Sequence, residues 1–192
     1  MSTIQELAQE LLEELRPGCE RIEIAGSIRR GKLEPKDIEL VAIPRITGTI
    51  GGSDFFGNLI DADVHNELDE LVNDMVRKPL DDQPWHMDSI LRRNGLKYKR
   101  LRHVDANVCC DLFIVTPETW GAQFAIRTGP ADFSHMLVTR ALRLGMKQED
   151  GRLWRIHRDD TKTVIETPEE RDYFAALGLP WIEPEMRGKV AA

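Results

Sequence analysis

Three acidic residues set the terms for any chemistry in this chain. Asp37 and Glu39 stand two apart in a segment that continues Leu40-Val41-Ala42-Ile43, and Asp111 lies within Val108-Cys109-Cys110-Asp111-Leu112-Phe113-Ile114. Both segments have the branched apolar composition of strands. Side chains two apart on a strand share a face, so Asp37 and Glu39 point the same way. Asp111 joins them if its strand lies alongside. Carboxylates this close repel one another, and burying them is costly without a compensating charge. A divalent cation is the strongest compensation. Mg²⁺ takes carboxylate oxygens, waters and substrate phosphates, and two carboxylates on one strand can bridge two such ions. The spacing alone also suits ordinary surface acids at the start of a strand, and a lone strand aspartate is as well explained by a hydrogen bond or an edge position.

The segment Gly26-Ser27-Ile28-Arg29-Arg30-Gly31 follows a strand-like run and precedes the carboxylate pair by about ten residues. Glycine at the turn lets the backbone approach a ligand closely. A helix starting at Ser27 would present free N–H groups to an anion. The Ser27 hydroxyl and the Arg30 guanidinium would add charge-assisted contacts to phosphate. By itself the segment could be a plain strand–turn–helix with surface arginines. Together with the carboxylates it describes a nucleoside-triphosphate site.

These residues need elements to hold them. Residues 2–15 carry Ile4, Leu7, Ala8, Leu11, Leu12 and Leu15 at helical spacing, and Pro17-Gly18 stops the run. Residues 21–25 alternate as a strand, and residues 36–43 form a second one. Residues 46–57 hold four glycines and read as a loop. A helix is expected from about Asp63 as cap. Residues 97–115 contain two strands around Asp105-Ala106-Asn107, a hairpin. The C-terminal third reads as mostly helical, with helices over 131–144 and after Thr167-Pro168-Glu169-Glu170, a capping box. The expected fold class is α+β: a mixed sheet with helices on one face over residues 1–130, and a small helical subdomain over 131–192.

The chain has 192 residues, 26 basic against 33 acidic, a net charge of −7 and 41% hydrophobic residues. That composition excludes disorder. No apolar stretch is long enough to span a membrane. Without a basic segment followed by an apolar run at the N-terminus, the expectation is an intracellular, cytoplasmic protein. Three cysteines, two of them adjacent, form neither a disulfide framework nor a CxxC site. Arg92, Arg93, Lys97, Lys99, Arg100 and Arg102 crowd residues 92–104 without an acid, with Tyr98 among them. This is the expected nucleic-acid surface, since phosphate neutralisation dominates such binding; a solvated basic hairpin is the plain alternative. Arg140, Arg143 and Lys147 suggest a second basic stripe on one helix face.

The ordered set Gly26-Ser27, Asp37-Ile38-Glu39 and distant Asp111 resembles the nucleotidyltransferase superfamily, and specifically the family X, polymerase-beta-like DNA polymerases. Residues 127–133 (Arg-Thr-Gly-Pro-Ala-Asp-Phe) are similar to that family's turn and following helix, and residues 180–187 to its proline-rich C-terminal signature. The resemblance implies that Asp37, Glu39 and Asp111 hold two Mg²⁺ ions, with Mn²⁺ as a substitute. It implies that Gly26, Ser27 and Arg30 hold a triphosphate, and that Thr128 and Gly129 lie against the incoming sugar and base. Lys97, Lys99, Arg100, Arg102 and Arg140 would contact nucleic acid. The implied activity is template-directed transfer of dNMP from dNTP to a primer 3′-hydroxyl, in gap-filling repair, by a monomer bound to DNA primer–template. The alternative is a nucleotidyltransferase acting on RNA, a protein or a small molecule. Departures from the pattern are Lys36 in place of glycine, Glu39 for the commoner aspartate, Ile126-Arg127 in place of an aromatic pair, and Ser134 in place of asparagine. Only the helix at 2–15 precedes the motif, so the expected form is a compact one lacking the family's N-terminal lyase domain.

Overall fold

A computed structural model describes residues 2–49, 63–79, 82–88 and 94–189. Arg92 and Arg93 of the basic segment lie outside the described residues, as do residues 50–57 of the expected loop, whose first part is strand and not loop. The order of elements is α1 (Ile4–Leu15), β1 (Cys19–Ile24), α2 (Gly26–Arg29), β2 (Ile38–Pro44), β3 (Ile46–Thr49), β4 (Asp63–Asn66), α3 (Glu67–Arg77), β5 (Trp85–Met87), β6 (Tyr98–His103), β7 (Val108–Ile114), α4 (Trp120–Thr128), α5 (Ala131–Arg143), β8 (Met146–Glu149), β9 (Arg152–Ile156), β10 (Lys162–Ile165) and α6 (Glu170–Ala176).

The main sheet runs β1-β2-β7-β6-β5. β2 and β7 are parallel and their neighbours antiparallel, so the sheet is mixed, as expected. Strict alternation on β2 and β7 builds two cores. Ile38, Leu40, Ala42, Cys110 and Leu112 face α1 and α3, where they meet Leu7, Leu11, Leu15, Leu68 and Val72. Each such leucine contributes roughly 2 kcal/mol by leaving water. Val41, Ile43 and Val115 face the other way, onto Trp120 and Phe124 of α4. Helices therefore cover parts of both faces, which corrects the one-faced expectation. Glu39, near the start of β2, and Asp111, in the middle of β7, lie on the α4 face. α4 also contributes Ala122 and Ala125 to the C-terminal core of Phe133, Leu137, Leu153, Tyr173 and Phe174. It belongs to both units, and a boundary at 130 cuts just behind it.

Three local expectations are corrected. The C-terminal unit is not helical throughout: β8, β9 and β10 form a three-stranded antiparallel sheet. Lys147 consequently sits on β8, paired with Glu149, and not on a helix with Arg140 and Arg143. Residues 63–66 are strand, paired with β3, and α3 starts after Asn66, whose side chain accepts from the Asp69 N–H. The cap of α6 is Glu169, reciprocated by Asp172, while Thr167 is buried and its carbonyl accepts from the Gly121 N–H. The 104–107 turn forms as expected, with Asn107 at φ 53°. Trp85 proves to be packing: it is buried, edge-on to His103 at 5.0 Å.

Candidate active site

The parallel pairing of β2 with β7 sets Glu39 directly opposite Asp111. Asp37 lies in the bend just before β2, two residues from Glu39. Glu39 is half-buried, and burial, with the Asp37 charge next and Asp111 adding to it, pushes its carboxyl up to about 7, against the pull of Arg30 and Arg127. The three carboxylates thus share a face and an electrostatic environment. They are not drawn together: among the described residues no group of three or more His, Cys, Asp or Glu could hold a metal ion as it stands.

Gly26 opens the turn beside them. Its φ is +60°, and a Cβ there would stand 1.8 Å from the Glu39 Oε2. Backbone conformation and space both demand glycine at this position. α2 is a single turn of four residues, so its dipole contributes little and the polar side chains matter more. The Ser27 hydroxyl is buried and has no hydrogen-bond partner among the described residues. A buried hydroxyl without a partner is costly and is the group a ligand oxygen would satisfy. Arg30 is half-buried and donates to the Thr128 carbonyl at 2.6 Å.

Thr128 itself is fully buried, and its hydroxyl accepts from Arg29 at 2.7 Å. With hydroxyl and carbonyl both occupied, it ties α4 to α2 and does not offer its side chain to a sugar, a correction to the expectation. Gly129 is partly exposed and remains available, and a Cβ there would meet the Phe133 ring at 2.7 Å. Arg29 continues the tie, donating to both oxygens of Glu170 at 2.9 and 2.7 Å, while the fully buried Arg187 donates to Glu170 Oε1 at 2.6 Å.

The basic hairpin divides by strand alternation. Lys99 faces inward, is 1% exposed, and pairs with Asp69 and with Asn94. It is no nucleic-acid contact. Arg100 and Arg102 face the other side, where Arg100 reaches Asp88 at 3.2 Å and Asp111 at 3.2 Å, and Arg102 reaches Asp88 at 3.4 Å. The segment has no acid of its own, but its neighbours supply four. Lys97 alone among the four is highly exposed, at 83%, with a loose pairing to Asp150 at 3.8 Å. Arg140 is spent on the C-terminus of α6, donating to the carbonyls of Leu177 and Gly178.

Two residues were not singled out from the sequence as part of the site. Tyr98 donates its hydroxyl to Asp111 Oδ1 at 2.5 Å, and its ring packs on Phe113 at 5.3 Å. Burial, then the hydrogen bond to Asp111, raises its phenol above the usual range. Arg127 stacks its guanidinium on Phe113 at 3.9 Å, and burial lowers its pKa against the pull of Glu39 and Asp111. Tyr98, Arg100, Asp111, Phe113, Gln123 and Arg127 line one side of a crevice of about 910 Å³ between the main sheet and the β8–β9 turn. The available signal for Tyr98 and Arg100 was the hairpin itself, which pairs Arg100 with Asp111 across the sheet.

Residues 124–188 match the family model of the DNA polymerase beta thumb. The match spans the end of α4 and the C-terminal unit. It supports a polymerase-beta-like, family X relationship and, with it, DNA polymerase-like function and DNA binding. No curated protein matches the chain.

Proposed function

We propose that this chain is a template-directed DNA polymerase that adds dNMP from dNTP to a primer 3′-hydroxyl. The observation that carries the reading is the β2–β7 register, which sets Glu39 beside Asp111 with Asp37 two residues away, next to the Ser27 hydroxyl, unpartnered among the described residues. The donors suit Mg²⁺ or Mn²⁺. They are all hard carboxylate oxygens, and Glu39, raised first by burial and then by the Asp37 charge, gains from a cation brought beside it. Asp37 and Glu39 would hold two ions, and Asp111 one of them. Ions bound there would lower the pKa of the attacking hydroxyl and offset charge on the departing pyrophosphate.

The chain's own residues do the positioning. Ser27 donates a hydrogen bond to a phosphate oxygen, and Arg30 offers the charge of its guanidinium beside it. Gly26 leaves room for Glu39. Gly129 presents backbone without a side chain at the end of α4. Asp111, on the strand next to Glu39, stands on the acceptor side. Lys97 and Arg102 supply backbone-phosphate contacts, and gap-filling repair is the role the family resemblance implies. A labelled primer–template with dNTP and Mg²⁺, run beside tRNA and protein acceptors, tests the reading. Templated extension is expected; transfer to tRNA or protein alone would overturn the DNA acceptor and keep the nucleotidyltransferase.

A further inference from the structure

Asp111 is held in an uneven way. Two groups from β6 reach it: the Tyr98 hydroxyl donates at 2.5 Å and the Arg100 guanidinium forms an ion pair at 3.2 Å, both at the same oxygen, Oδ1. Oδ2 accepts no hydrogen bond from any described residue. The side chain is 18% exposed, so water competes little for its orientation. Both groups are fixed by their strand. Arg100 is the cross-strand partner of Asp111, and Tyr98 pairs with Phe113, against whose ring it packs at 5.3 Å. Arg100 is further braced by Asp88, itself almost fully buried. A hydrogen bond and an ion pair on one oxygen orient the carboxylate and leave its other oxygen as the open one.

From this we infer that Tyr98 is a positioning residue for the reaction. Its hydroxyl clamps Asp111 through Oδ1, so that the carboxylate engages a divalent ion through Oδ2 alone. The inference rests on the ion-binding reading of the carboxylates. Groups that orient metal-binding carboxylates by hydrogen bonds are worth roughly 10–100-fold in metal affinity or activity. Without the hydroxyl the Asp111 side chain regains rotational freedom, and ordering it is then charged against ion binding. Nucleotide contacts lie on the other side of the site, at Ser27 and Arg30, and are untouched.

The test is Tyr98→Phe, which keeps the ring on Phe113 and removes only the donor. Mn²⁺ binding to the nucleotide-free protein is titrated by electron paramagnetic resonance for wild type, Tyr98→Phe and Asp111→Asn, with thermal unfolding as a check on the fold. The expected result is at least about tenfold weaker binding of one ion in Tyr98→Phe, a comparable loss in Asp111→Asn, a kcat lowered about tenfold and an unchanged KM for dNTP. Equal or tighter Mn²⁺ binding in Tyr98→Phe, with Asp111→Asn impaired, overturns the clamp and leaves the ion site standing. Unchanged binding in Asp111→Asn removes the ion site itself. A weaker Tyr98→Phe beside an unchanged Asp111→Asn also overturns the clamp, because Tyr98 would then act elsewhere.

Discussion

Two glutamates in this molecule are withdrawn from water, and they are treated in opposite ways. Glu170, at the start of α6, is 5% exposed and meets Arg29 and Arg187, with both of its oxygens taken. Its partners are pinned in turn: Arg29 lies over Phe124 at 3.8 Å, and Arg187 donates to the Ile182 carbonyl. Glu39 is half-buried, and burial, with the Asp37 charge next, raises its carboxyl to about 7 against the pull of Arg30 and Arg127. Beside it the Ser27 hydroxyl is buried and unpartnered among the described residues. The first arrangement is complete and locks the C-terminal unit to α2. The second is incompletely neutralised and leaves a hydroxyl without an acceptor, and a metal-bound triphosphate would supply both.

Breaking the two regions should therefore fail differently. The largest effect is expected at the carboxylates: Asp111→Ala or Asp37→Ala should lower nucleotide transfer by on the order of a thousandfold or more, and Asp37→Ala should leave folding unimpaired, because removing a like charge relieves repulsion. Steady-state extension assays and thermal unfolding on the same preparations check both halves. Next comes Glu170→Gln, which strands two buried arginines. It should cost about 3 kcal/mol or more in unfolding free energy, measured by denaturant titration, and would lower activity only through the fold.

Glu39→Gln sharpens the contrast through pH. The Glu39 carboxyl is raised from its ordinary 4.5 to about 7 in the folded chain. Its contribution to stability is therefore fully present below about 4.5 and is lost as pH rises through 7. The metal-free variant should match wild type near pH 5 and exceed it by about 2 kcal/mol at pH 8. An equal gain at both pH values would show that packing, not charge, is responsible. The smallest effects belong to the hairpin. Lys97→Ala should reduce the salt slope of DNA binding by about 0.9, whereas Lys99→Met should leave that slope unchanged and alter stability, since Lys99 is sealed against Asp69. Affinities across a salt series distinguish the two.

Much of the main sheet was legible in the sequence. Alternation around Asp37 to Ile43 and Val108 to Ile114 gave the strands, and the two-residue spacing gave the shared face. The parallel pairing that joins Asp111 to the others was legible only through family resemblance, because pairing between distant strands leaves no local periodicity. The hairpin cations were misjudged for a definable reason. A count over 92–104 ignores that successive strand residues face opposite sides, so Lys99 went inward to Asp69 while Arg100 went to Asp111. β8, β9 and β10 were missed because they are only four or five residues long, and Arg140 was spent on carbonyls of α6, which no local pattern announces. α4 was not read from the sequence, and the tie of Thr128 depends on two arginines about a hundred positions away.

The most direct measurement is the unfolding midpoint of the protein at pH 8 as Mn²⁺ is added, for wild type and for the Asp37→Asn, Asp111→Asn double variant. An ion that binds the folded chain alone stabilises it by about 2.7 kcal/mol at a hundred times its Kd. The account predicts a concentration-dependent rise in wild type and none in the double variant. The same rise in both proteins would contradict it, because the ion would then be held somewhere other than beside Glu39.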